Sequence, residues 1–396
     1  MATKHRVLFL CHSASRNGAT IVLLHFLRWL KGRVDWEIDV VVEGRGPLID
    51  ELRACGRITV LRNPATFLAG LPNKWRDATA MLLEKLLLSP VFLRPRYDVI
   101  YANTAATWHL VSVLERKGYK VLWHVHEMSY GLRTILRRDE AVRTFRAVAD
   151  FIAVSAGVQA ALQDEYKIDP EKVSLVHAFV AASAITAADS VRRRQQLFQR
   201  LDWPQDTAVV GGCGALGWRK GTDLFLQVAK TIAESRGSRQ VRFLWVGGDG
   251  NDQGSREFDH DVRALGLHGL CTRVATTDDV VSYYAAMDVF ALTSREDPFP
   301  LVMLEAGAQG VPTVCFDRSG GGPEFVGLGA GLVAPYLDTT VFADHVLRLI
   351  DDSGHRRALG DRAASLVKER YSVDTQAPKL LDLLERVLAR SEGSAT

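Results

Sequence analysis

The sequence predicts an α/β protein built from two doubly wound domains. Short runs rich in β-branched residues alternate with helical patterns along the 396 residues. Continuous apolar strands separated by helices are typical of parallel sheets that are covered on both faces. The pattern also starts again: a strand, a glycine-containing loop and a helix occur at Arg6–Leu30 and once more at Ala208–Ile232. Because a chain of this length is too long for one ordinary core, the repeat indicates two domains.

Thirteen strands are predicted, and the second series begins at residue 208. The first series comprises Arg6–Cys11, Trp36–Val42, Ile58–Leu61, Asp98–Ala102, Lys120–His126, Asp150–Val154 and Val173–Val176. The second comprises Ala208–Cys213, Val241–Val246, Thr272–Ala275, Asp288–Leu292, Pro312–Phe316 and Gly331–Ala334. Ligands of such sheets bind beyond the carboxyl ends of the strands, so functional residues are expected there.

The predicted domains are 1–185 and 186–372. The stretch Ala181–Ser190, rich in Ala and Ser, is the predicted link between them. Leucines and a valine at helical spacing predict a last helix over Asp374–Leu388. We expect the segment 373–396 to pack back on the N-terminal domain.

Composition and charge restrict the classes of function. The chain is 47% apolar and 24% charged, as in ordinary globular proteins, and the apolar run Val7–Cys11 is too short for a signal peptide or a membrane span. Five scattered cysteines without a C-x-x-C pair predict free thiols in a reducing compartment, so we expect a cytoplasmic protein. Residues 1–180 contain 25 Lys and Arg against 18 Asp and Glu. This excess favours phosphate groups or anionic lipid as partners; nucleic acid is not expected, because the cations do not form one run.

Two basic segments raise the question of a peripheral membrane contact. Leu82–Arg96 mixes leucines with cations, and five arginines fall near a helix predicted around Leu132–Val148. Amphipathic basic segments can lie on anionic membrane surfaces, here the inner face of the membrane. A core-packed helix with a solvated basic face explains the pattern equally well, so both interpretations stay open.

The stretch from Ser294 to Gly307 is the most informative part of the second series. A proline-stiffened loop containing Asp297 leads into an apolar helix that contains Glu305. Because the first part is a loop, the two acids can flank one end of a ligand, and a helix N-terminus beside them suits an anion such as phosphate. The alternative is a pair of solvated or capping acids.

The string Gly212–Gly217 matches the dinucleotide motif G-x-G-x-x-G without its expected context. The helix does not open at the third glycine, and no acid lies about 20 residues further on, at the end of a second strand, to hold a ribose, so a dinucleotide site is not predicted. Arg219 and Lys220 come next, where a helix dipole would not favour cations. The loop is therefore predicted to bring them to a phosphate.

The first series offers weaker candidates. His124 and His126 lie on one side of a predicted strand, but no third ligand is evident, so no metal site is predicted and His126, at the strand end, is favoured as functional. Asn17 and Gly18 precede the first helix, where glycine permits close approach of a ligand; an ordinary strand-to-helix turn is the alternative. The glycines at 320–322 offer backbone N–H groups to an anion or a sugar, unless the loop is simply flexible.

In combination, these motifs resemble those of the retaining glycosyltransferases of family 4, whose GT-B fold has two Rossmann-like domains facing each other across a cleft. The family's E-x7-E motif corresponds to Asp297 and Glu305, with Phe299 in its expected place. Its phosphate loop corresponds to Gly214–Gly221, its glycine loop to 17–19 and its cleft histidine to His126.

The chain departs from that pattern at four positions. An aspartate, Asp297, is the first acid, and Pro298 and Pro300 replace glycines, which removes two backbone N–H donors. Ala215 occupies the usual arginine position, with Arg219 as the substitute. These departures affect the sugar specificity more than the class of reaction.

The resemblance implies a UDP- or GDP-linked sugar donor, an acceptor that is a glycan or lipid-linked glycan, and neither a metal nor a cofactor. The implied donor-binding residues are Gly18, Gly217, Arg219, Lys220, Asp297, Phe299, Pro300, Leu301 and Glu305. The implied acceptor-binding residues are Asn17, Gly18 and His126, and the implied catalytic residues are His126, Arg219, Lys220 and Asp297. Two alternatives remain: a GT-B sugar-nucleotide epimerase or phosphorylase, and a catalytically silent glycan-binding scaffold subunit.

Overall fold

The computed structural model describes residues 4–61, 96–181, 185–235 and 240–392, and the chain divides into two units. The N-terminal unit comprises residues 1–177 together with 373–396, and the C-terminal unit comprises residues 178–372. The basic segment predicted at 82–96 lies outside the described residues, apart from Arg96.

The described part of the N-terminal unit contains a seven-stranded sheet in which every neighbouring pair is parallel. Its strands are β1 (Arg6–Ser13), β2 (Glu37–Gly44), β3 (Arg57–Val60), β4 (Val99–Asn103), β5 (Val121–Val125), β6 (Asp150–Ala153) and β7 (Val173–Leu175). The spatial order is β3-β2-β1-β4-β5-β6-β7. Because the order reverses between β1 and β4, the carboxyl ends of these two strands form the switch point where such sheets bind ligands.

Helices cover this sheet and return to it at the end of the chain. They are α1 (Gly18–Leu30), α2 (Ile49–Arg53), α3 (Trp108–Glu115), α4 (Ser129–Ile135), α5 (Asp139–Ala147) and α6 (Ala156–Ala160), with a last helix at Val373–Glu392. The last helix contacts α1 and β4, and Arg390 pairs with Asp150 at 2.6 Å. The predicted return of the terminal helix is thus confirmed, with a helix longer than expected.

The described part of the C-terminal unit contains a six-stranded parallel sheet in the order β10-β9-β8-β11-β12-β13. Its strands are β8 (Ala208–Cys213), β9 (Val241–Val246), β10 (Cys271–Val274), β11 (Val289–Leu292), β12 (Thr313–Phe316) and β13 (Gly331–Ala334). The switch point lies between β8 and β11. All thirteen predicted strands are therefore present, and the prediction of two doubly wound α/β domains is confirmed.

The helices of this unit enclose an apolar core on the sheet. They are α7 (Ala187–Leu201), α8 (Thr222–Ser235), α9 (Gln253–Ala264), α10 (Val280–Tyr284), α11 (Leu301–Ala308), α12 (Gly321–Phe325), α13 (Thr339–Asp351) and α14 (Ser353–Arg370); the terminal helix of the chain is α15. Phe225 of α8 meets Trp245 of β9 edge to face at 5.1 Å. Phe316 of β12 packs on Phe342 of α13 at 4.8 Å, so helix and sheet interlock through aromatic pairs.

The predicted link Ala181–Ser190 is wrong in its second half, because α7 begins at Ala187. The side chain of Thr186 accepts a hydrogen bond from the backbone N–H of Asp189 and caps the helix. Alanine has the highest helix propensity and threonine is a good N-cap, so the composition that suggested a linker is that of a helix start.

The predicted basic helix is broken: Arg133 lies on α4, Arg143 and Arg146 lie on α5, and Arg137 and Arg138 lie between the two helices. Arg133 pairs with Glu165 at 2.9 Å, and Arg146 donates to the carbonyl of Tyr166 at 3.1 Å. Both side chains are therefore bound within their own unit. No helix among the described residues has both the length and the apolar character that crossing a bilayer requires.

Asp39 is a buried acid on β2 of the N-terminal unit. It is 1% exposed and accepts hydrogen bonds from Arg57 Nε at 2.7 Å and from the hydroxyl of Tyr97 at 2.7 Å. An Arg6 guanidinium nitrogen lies 3.9 Å away. A buried carboxylate is tolerated only where such partners replace its lost hydration, so these contacts join β1, β2 and β3 into one network.

Candidate active site

The loop after β8 places Lys220 over the carboxyl end of the sheet of the C-terminal unit. A short 3₁₀ turn, Trp218–Lys220, joins this loop to α8. Gly214 has a φ of 138°, and a Cβ there would lie 3.0 Å from Cε of Lys220. The lysine side chain therefore runs back across Gly214. The first two glycines of the G-x-G-x-x-G string, Gly212 and Gly214, thus give room to the side chains of Trp245 and Lys220.

Gly221 ends this loop in the left-handed conformation, with a φ of 63°. A Cβ at this position would lie 2.0 Å from the carbonyl oxygen of Thr293, which follows β11. Real Cβ atoms do not approach a backbone oxygen so closely. Gly221 thus permits the loop after β8 to lie directly on the loop after β11.

We expect Gly221→Ala to lower the free energy of unfolding by about 3 kcal/mol, the sum of left-handed strain and overpacking. Gly266→Ala is the matched control, because Gly266 has a φ of 70° but open space around it. It should lose only the strain, about 1 kcal/mol. Urea denaturation of both variants measures the difference, and equal losses would show that the contact with Thr293 contributes nothing.

Asp297 is held against Lys220 at the end of the loop after β11. Its carboxylate lies 2.5 Å from Nζ of Lys220, and Ser294 donates to the same oxygen at 3.2 Å. The backbone is fixed as well, since the N–H of Asp297 donates to the carbonyl of Ser319 at 2.7 Å. Both side chains of the ion pair are largely buried, with 13% of Lys220 and 9% of Asp297 exposed.

Glu305 lies on the first turns of α11 and belongs to the same cluster. The hydroxyl of Tyr284 donates to its carboxylate at 2.9 Å. Burial raises the pKa of Glu305, while the Tyr284 hydrogen bond and the charge of Lys220 oppose that rise. Burial likewise raises the pKa of Cys213, at the end of β8, to about 11, so this thiol stays protonated and is no nucleophile. The structure thus brings together Lys220, Asp297 and Glu305.

We expect Tyr284→Phe to weaken nucleotide binding by about tenfold at pH 6 and by less at pH 8, since one hydrogen bond to a charged group is worth about 1.5 kcal/mol. The Tyr284 hydrogen bond lowers the pKa of Glu305, so its loss raises that pKa further. The resemblance to family 4 implies that Glu305 accepts from ribose hydroxyls, and protonation removes that acceptor as the pH falls. Calorimetric titration with UDP at both pH values is the measurement, and Tyr283→Phe is the control; a loss independent of pH would contradict the role of Glu305 ionisation.

Arg219 differs from Lys220 in its surroundings. Its side chain is exposed and forms no hydrogen bond or ion pair within the described part of the chain, whereas its carbonyl accepts from the N–H of Arg295 at 2.9 Å. Arg295 in turn pairs with Asp223 at 2.6 Å and lies 5.4 Å from the ring of Trp218. A bidentate bond between the loop after β11 and α8 therefore holds the Trp218–Lys220 turn in place.

Three further predicted donor residues, Phe299, Pro300 and Leu301, lead from the Asp297 loop into α11. Phe299 is 5% exposed and lies 5.3 Å from the ring of Tyr371. Pro300 is the N-cap residue of α11, and Leu301 begins the helix and is 7% exposed. Gly217 has a φ of 146° and open space around its Cα.

The glycine loop after β12 uses one of its backbone N–H groups within the protein. The N–H of Gly321 donates to the carbonyls of Asp297 and Pro298, at 3.1 and 2.9 Å. A Cβ at Gly321 would lie 2.2 Å from the ring of Phe299. The glycine therefore lets Phe299 pack beneath the loop that carries Asp297.

A second cluster occupies the switch point of the N-terminal unit. His126 follows β5, and its Nε2 lies 3.0 Å from Oδ1 of Asn103, the last residue of β4. His12, in β1, lies 3.4 Å from the hydroxyl of Thr104. The ring of His124 is 4.1 Å from that of His126 between centroids, and its Nδ1 lies 2.5 Å from the hydroxyl of Tyr101.

The surroundings of these histidines favour the neutral imidazole. Burial and, to a lesser extent, the neighbouring His12 lower the pKa of His126 to about 3, and burial lowers the pKa values of His12 and His124. Within the described residues, no three His, Cys, Asp or Glu side chains form a cluster that could hold a metal ion.

Asn17 and Gly18 lie at the same edge of the sheet. Asn17 is the N-cap of α1, where its Oδ1 accepts from the N–H of Thr20 at 3.0 Å, and Gly18, which was predicted to precede the helix, is its first residue. Asn103 connects this turn to His126, because its Nδ2 donates to the carbonyl of Ala19 at 3.2 Å. The predicted residues Gly18 and His126 are therefore linked through Asn103.

Sequence reasoning did not identify Tyr284, Ser294, Arg295 or Asn103. Tyr284 ends a five-residue helix and Arg295 stands in a charged loop, with nothing in their spacing to suggest the contact each makes. Asn103 directly follows the predicted strand Asp98–Ala102, and this position at a strand end was the one available signal.

Two family models match the chain. Glycosyltransferase Family 4 matches residues 16–183, and Glycosyl transferases group 1 matches residues 207–352. The first falls almost entirely within the N-terminal unit and the second within the C-terminal unit.

Curated relatives are similar over about half of their length. The D-inositol 3-phosphate glycosyltransferase of Corynebacterium kroppenstedtii is 27% identical over 232 residues, which cover 57% of this chain and 50% of that protein. The lipopolysaccharide core biosynthesis glycosyltransferase LpsE of Rhizobium meliloti is 28% identical over 215 residues, 54% of this chain and 58% of that protein.

Solved structures share the fold over nearly the whole chain. Anabaena Alr3699/HepE in complex with UDP-glucose superposes with a TM-score of 0.79 at 22% identity, covering 96% of this chain and 99% of that one. WaaG, a glycosyltransferase involved in lipopolysaccharide biosynthesis, gives a TM-score of 0.71 at 16% identity, covering 95% and 99%. Since the two sheets have the strand order of Rossmann-like domains and a family model matches in each unit, the chain belongs to the glycosyltransferases of the family 4 and group 1 type, with the GT-B fold.

Proposed function

We propose that this chain is a retaining, metal-independent glycosyltransferase that moves a sugar from a UDP- or GDP-linked donor to a hydroxyl group of a glycan or lipid-linked glycan. The observation that supports it most directly is the cluster of Lys220, Asp297 and Glu305 at the switch point of the C-terminal sheet. A cation for a diphosphate, and separate carboxylates for a sugar and a ribose, occur in one place.

The donor is expected to bind to this cluster through its charged and hydroxyl groups. Lys220 has three N–H donors, so it can keep its bond to Asp297 and still donate to a phosphate oxygen. The exposed Arg219 offers the diphosphate a second, bidentate donor. Glu305, ionised, accepts from ribose hydroxyls. The HepE complex with UDP-glucose supports a nucleotide-sugar donor for a chain of this fold.

The chemical step forms a bond from an acceptor oxygen to the anomeric carbon while the bond from that carbon to the donor phosphate breaks. The acceptor proton passes to the leaving phosphate oxygen, on the face where the acceptor attacks, which retains the configuration. Lys220 and Arg219 stabilise the negative charge that develops on the diphosphate, and each such donor is typically worth about 3–4 kcal/mol. Positively charged side chains in this role are the reason to propose that no metal or cofactor is required.

The acceptor is proposed to bind at the histidine cluster of the N-terminal unit. His126 and the capped start of α1 lie at one edge there, linked by Asn103. The similarity to LpsE, a glycosyltransferase of lipopolysaccharide core biosynthesis, supports an acceptor that is a growing lipid-linked glycan. Action in the cytoplasm at the inner face of a membrane is part of this proposal, with the excess of basic residues in the first 180 as its support.

Thermal shift measurements with UDP, GDP and their common sugar conjugates test the proposal. A ligand that binds only the native protein adds about 2.7 kcal/mol of stability at 100 times its dissociation constant. Turnover of the sugar donor that binds, with lipid-linked oligosaccharides as acceptors and with excess EDTA, then tests transfer and metal independence. NMR of the new anomeric centre reports retention or inversion.

The alternatives give different results in the same assays. An epimerase would interconvert donors without an acceptor, and a phosphorylase would require inorganic phosphate. Absence of binding by every nucleotide would favour the catalytically silent scaffold and contradict the proposal.

A further inference from the structure

The amide of Asn103 has one possible orientation. Asn103 is fully buried at the end of β4, and its Nδ2 lies 3.2 Å from the carbonyl oxygen of Ala19. A carbonyl oxygen only accepts, so the amide nitrogen, not the oxygen, must face Ala19. The amide oxygen is then the atom that faces His126, at 3.0 Å from its Nε2.

This orientation decides which ring nitrogen of His126 carries the proton. The amide oxygen of Asn103 can only accept, so Nε2 of His126 must be the N–H donor. In a neutral imidazole the other nitrogen is then an acceptor. Within the described residues Nδ1 of His126 makes no hydrogen bond, and it is not among the unbonded side-chain atoms that are shielded from solvent, so this lone pair is accessible to a bound molecule.

We propose that Asn103 is a positioning residue: it fixes His126 in the Nε2–H form and so presents the Nδ1 lone pair as the acceptor for a substrate hydroxyl. The inference rests on the proposed function, because sugar transfer supplies the hydroxyl that donates. The tautomer, rather than the charge, is what Asn103 controls. Without Asn103, both tautomers are open to His126 and Nδ1 is an acceptor in only one of them.

The surroundings of His126 keep the ring neutral, which is the condition for tautomer control. Burial and the neighbouring His12 of β1 lower its pKa to about 3. The other titratable groups around it are His124 on β5, Glu127, whose carboxylate accepts from the backbone N–H of His126 at 3.0 Å, and Glu43 of β2, which acts on His12. No carboxylate faces the ring nitrogens of His126 in the described structure; Asn103 occupies that position with a neutral acceptor.

The backbone of Thr104, beside Asn103, is strained, and strained backbone is common at functional sites. Thr104 has a φ of 76° and a ψ of 152°, which a residue with a Cβ rarely adopts. Its carbonyl accepts from Nε1 of Trp123 at 2.8 Å and from the hydroxyl of Thr107 at 2.9 Å. These bonds hold the end of β4 in the one conformation that directs Asn103 to both Ala19 and His126.

Nitrogen NMR of the ligand-free, ¹⁵N-histidine-labelled protein tests the tautomer directly, with His126→Gln to assign the signal. We expect the pattern of an Nε2–H imidazole for His126 at pH 7, and an Nδ1–H pattern would overturn the inference. Because no substrate is present, this result is independent of whether sugar transfer is the function.

Two variants test the role of Asn103 in turnover. Asn103→Asp replaces the neutral acceptor by a carboxylate, which favours the protonated ring; the acid limb of the kcat/KM profile should move up by at least one pH unit. Asn103→Leu keeps the volume but removes the acceptor, so kcat should fall 10–100-fold with donor KM unchanged. If Asn103 only connected α1 to β5, both variants would lose stability without a shift of the acid limb or a selective loss of kcat, and that outcome would overturn the proposal.

Discussion

Lys220→Ala is expected to lower kcat for sugar transfer by at least a hundredfold, and by up to about a thousandfold, because one donor to a developing negative charge is worth about 2.7–4 kcal/mol. Nζ of Lys220 is the one cation that contacts Asp297 in the described structure, at 2.5 Å, and its charge also reaches Glu305. Its removal affects the diphosphate and both carboxylates together. Steady-state kinetics with the donor that stabilises the wild-type protein measures the loss.

A matched control separates this effect from a general change of surface charge. Lys230 lies on α8, the helix that follows Lys220. Within the described residues it pairs only with Glu234, and 41% of its side chain is exposed. Lys230→Ala should therefore turn over like the wild type. Removal of Lys220 also leaves Asp297 buried without its cation, so the folded state of the variant is checked by its urea transition. Wild-type turnover in a folded Lys220→Ala protein would contradict the site.

A second variant distinguishes the two cations. The side chain of Arg219 is exposed and has no partner among the described residues, so its guanidinium can move to the phosphate when a donor binds. Arg219→Ala should lower turnover less than Lys220→Ala, and leave stability unchanged. The opposite order would assign the main phosphate contact to Arg219.

The fold was predictable because its signals are local. Each strand is a short apolar run bounded by polar or glycine residues, and a fully buried parallel strand needs nothing more to be recognised. The prediction of the linker was wrong because its signal was local too. Ala187 and Ala188 suit a linker and a helix start equally, and the hydrogen bond from the N–H of Asp189 to the side chain of Thr186 decides between them.

Sequence patterns pointed to a site residue only where a charged side chain comes after the end of a predicted strand. Lys220, Asp297 and Glu305 follow strand ends, and strand order then brings them together. The partners that orient them are distant in sequence: Tyr284 reaches Glu305 across 21 residues, and Asn103 reaches Ala19 across 84. Single-sequence patterns do not contain such pairings, because they arise from packing.

Sequence patterns also do not show how Phe299 and Gly321 pack. Both residues belong to motifs associated with ligands, yet the ring of Phe299 fills the space that the absent side chain of Gly321 leaves. Their contribution is to fix the loop that carries Asp297. A motif marks the residues that a site needs without separating those that touch a ligand from those that support it.

Asp39→Ala is expected to lower the free energy of unfolding of the N-terminal unit by about 3 kcal/mol. The variant leaves the buried hydroxyl of Tyr97 without its acceptor, at about 1–3 kcal/mol, and removes the charge that balances Arg6 and Arg57. Arg57 has 55% of its side chain exposed and regains hydration, which keeps the loss at the lower end of the range for buried pairs.

Asp35→Ala is the matched control, since Asp35 has 90% of its side chain exposed and pairs with Lys4 on the surface. It should change stability by less than about 0.5 kcal/mol. The two units need not unfold together, so urea denaturation is best followed by hydrogen exchange of peptides from β2, which report on this unit alone. If Asp39→Ala were as stable as Asp35→Ala, the network would contribute little, and the apolar packing of β1, β2 and β3 would have to hold these strands together unaided.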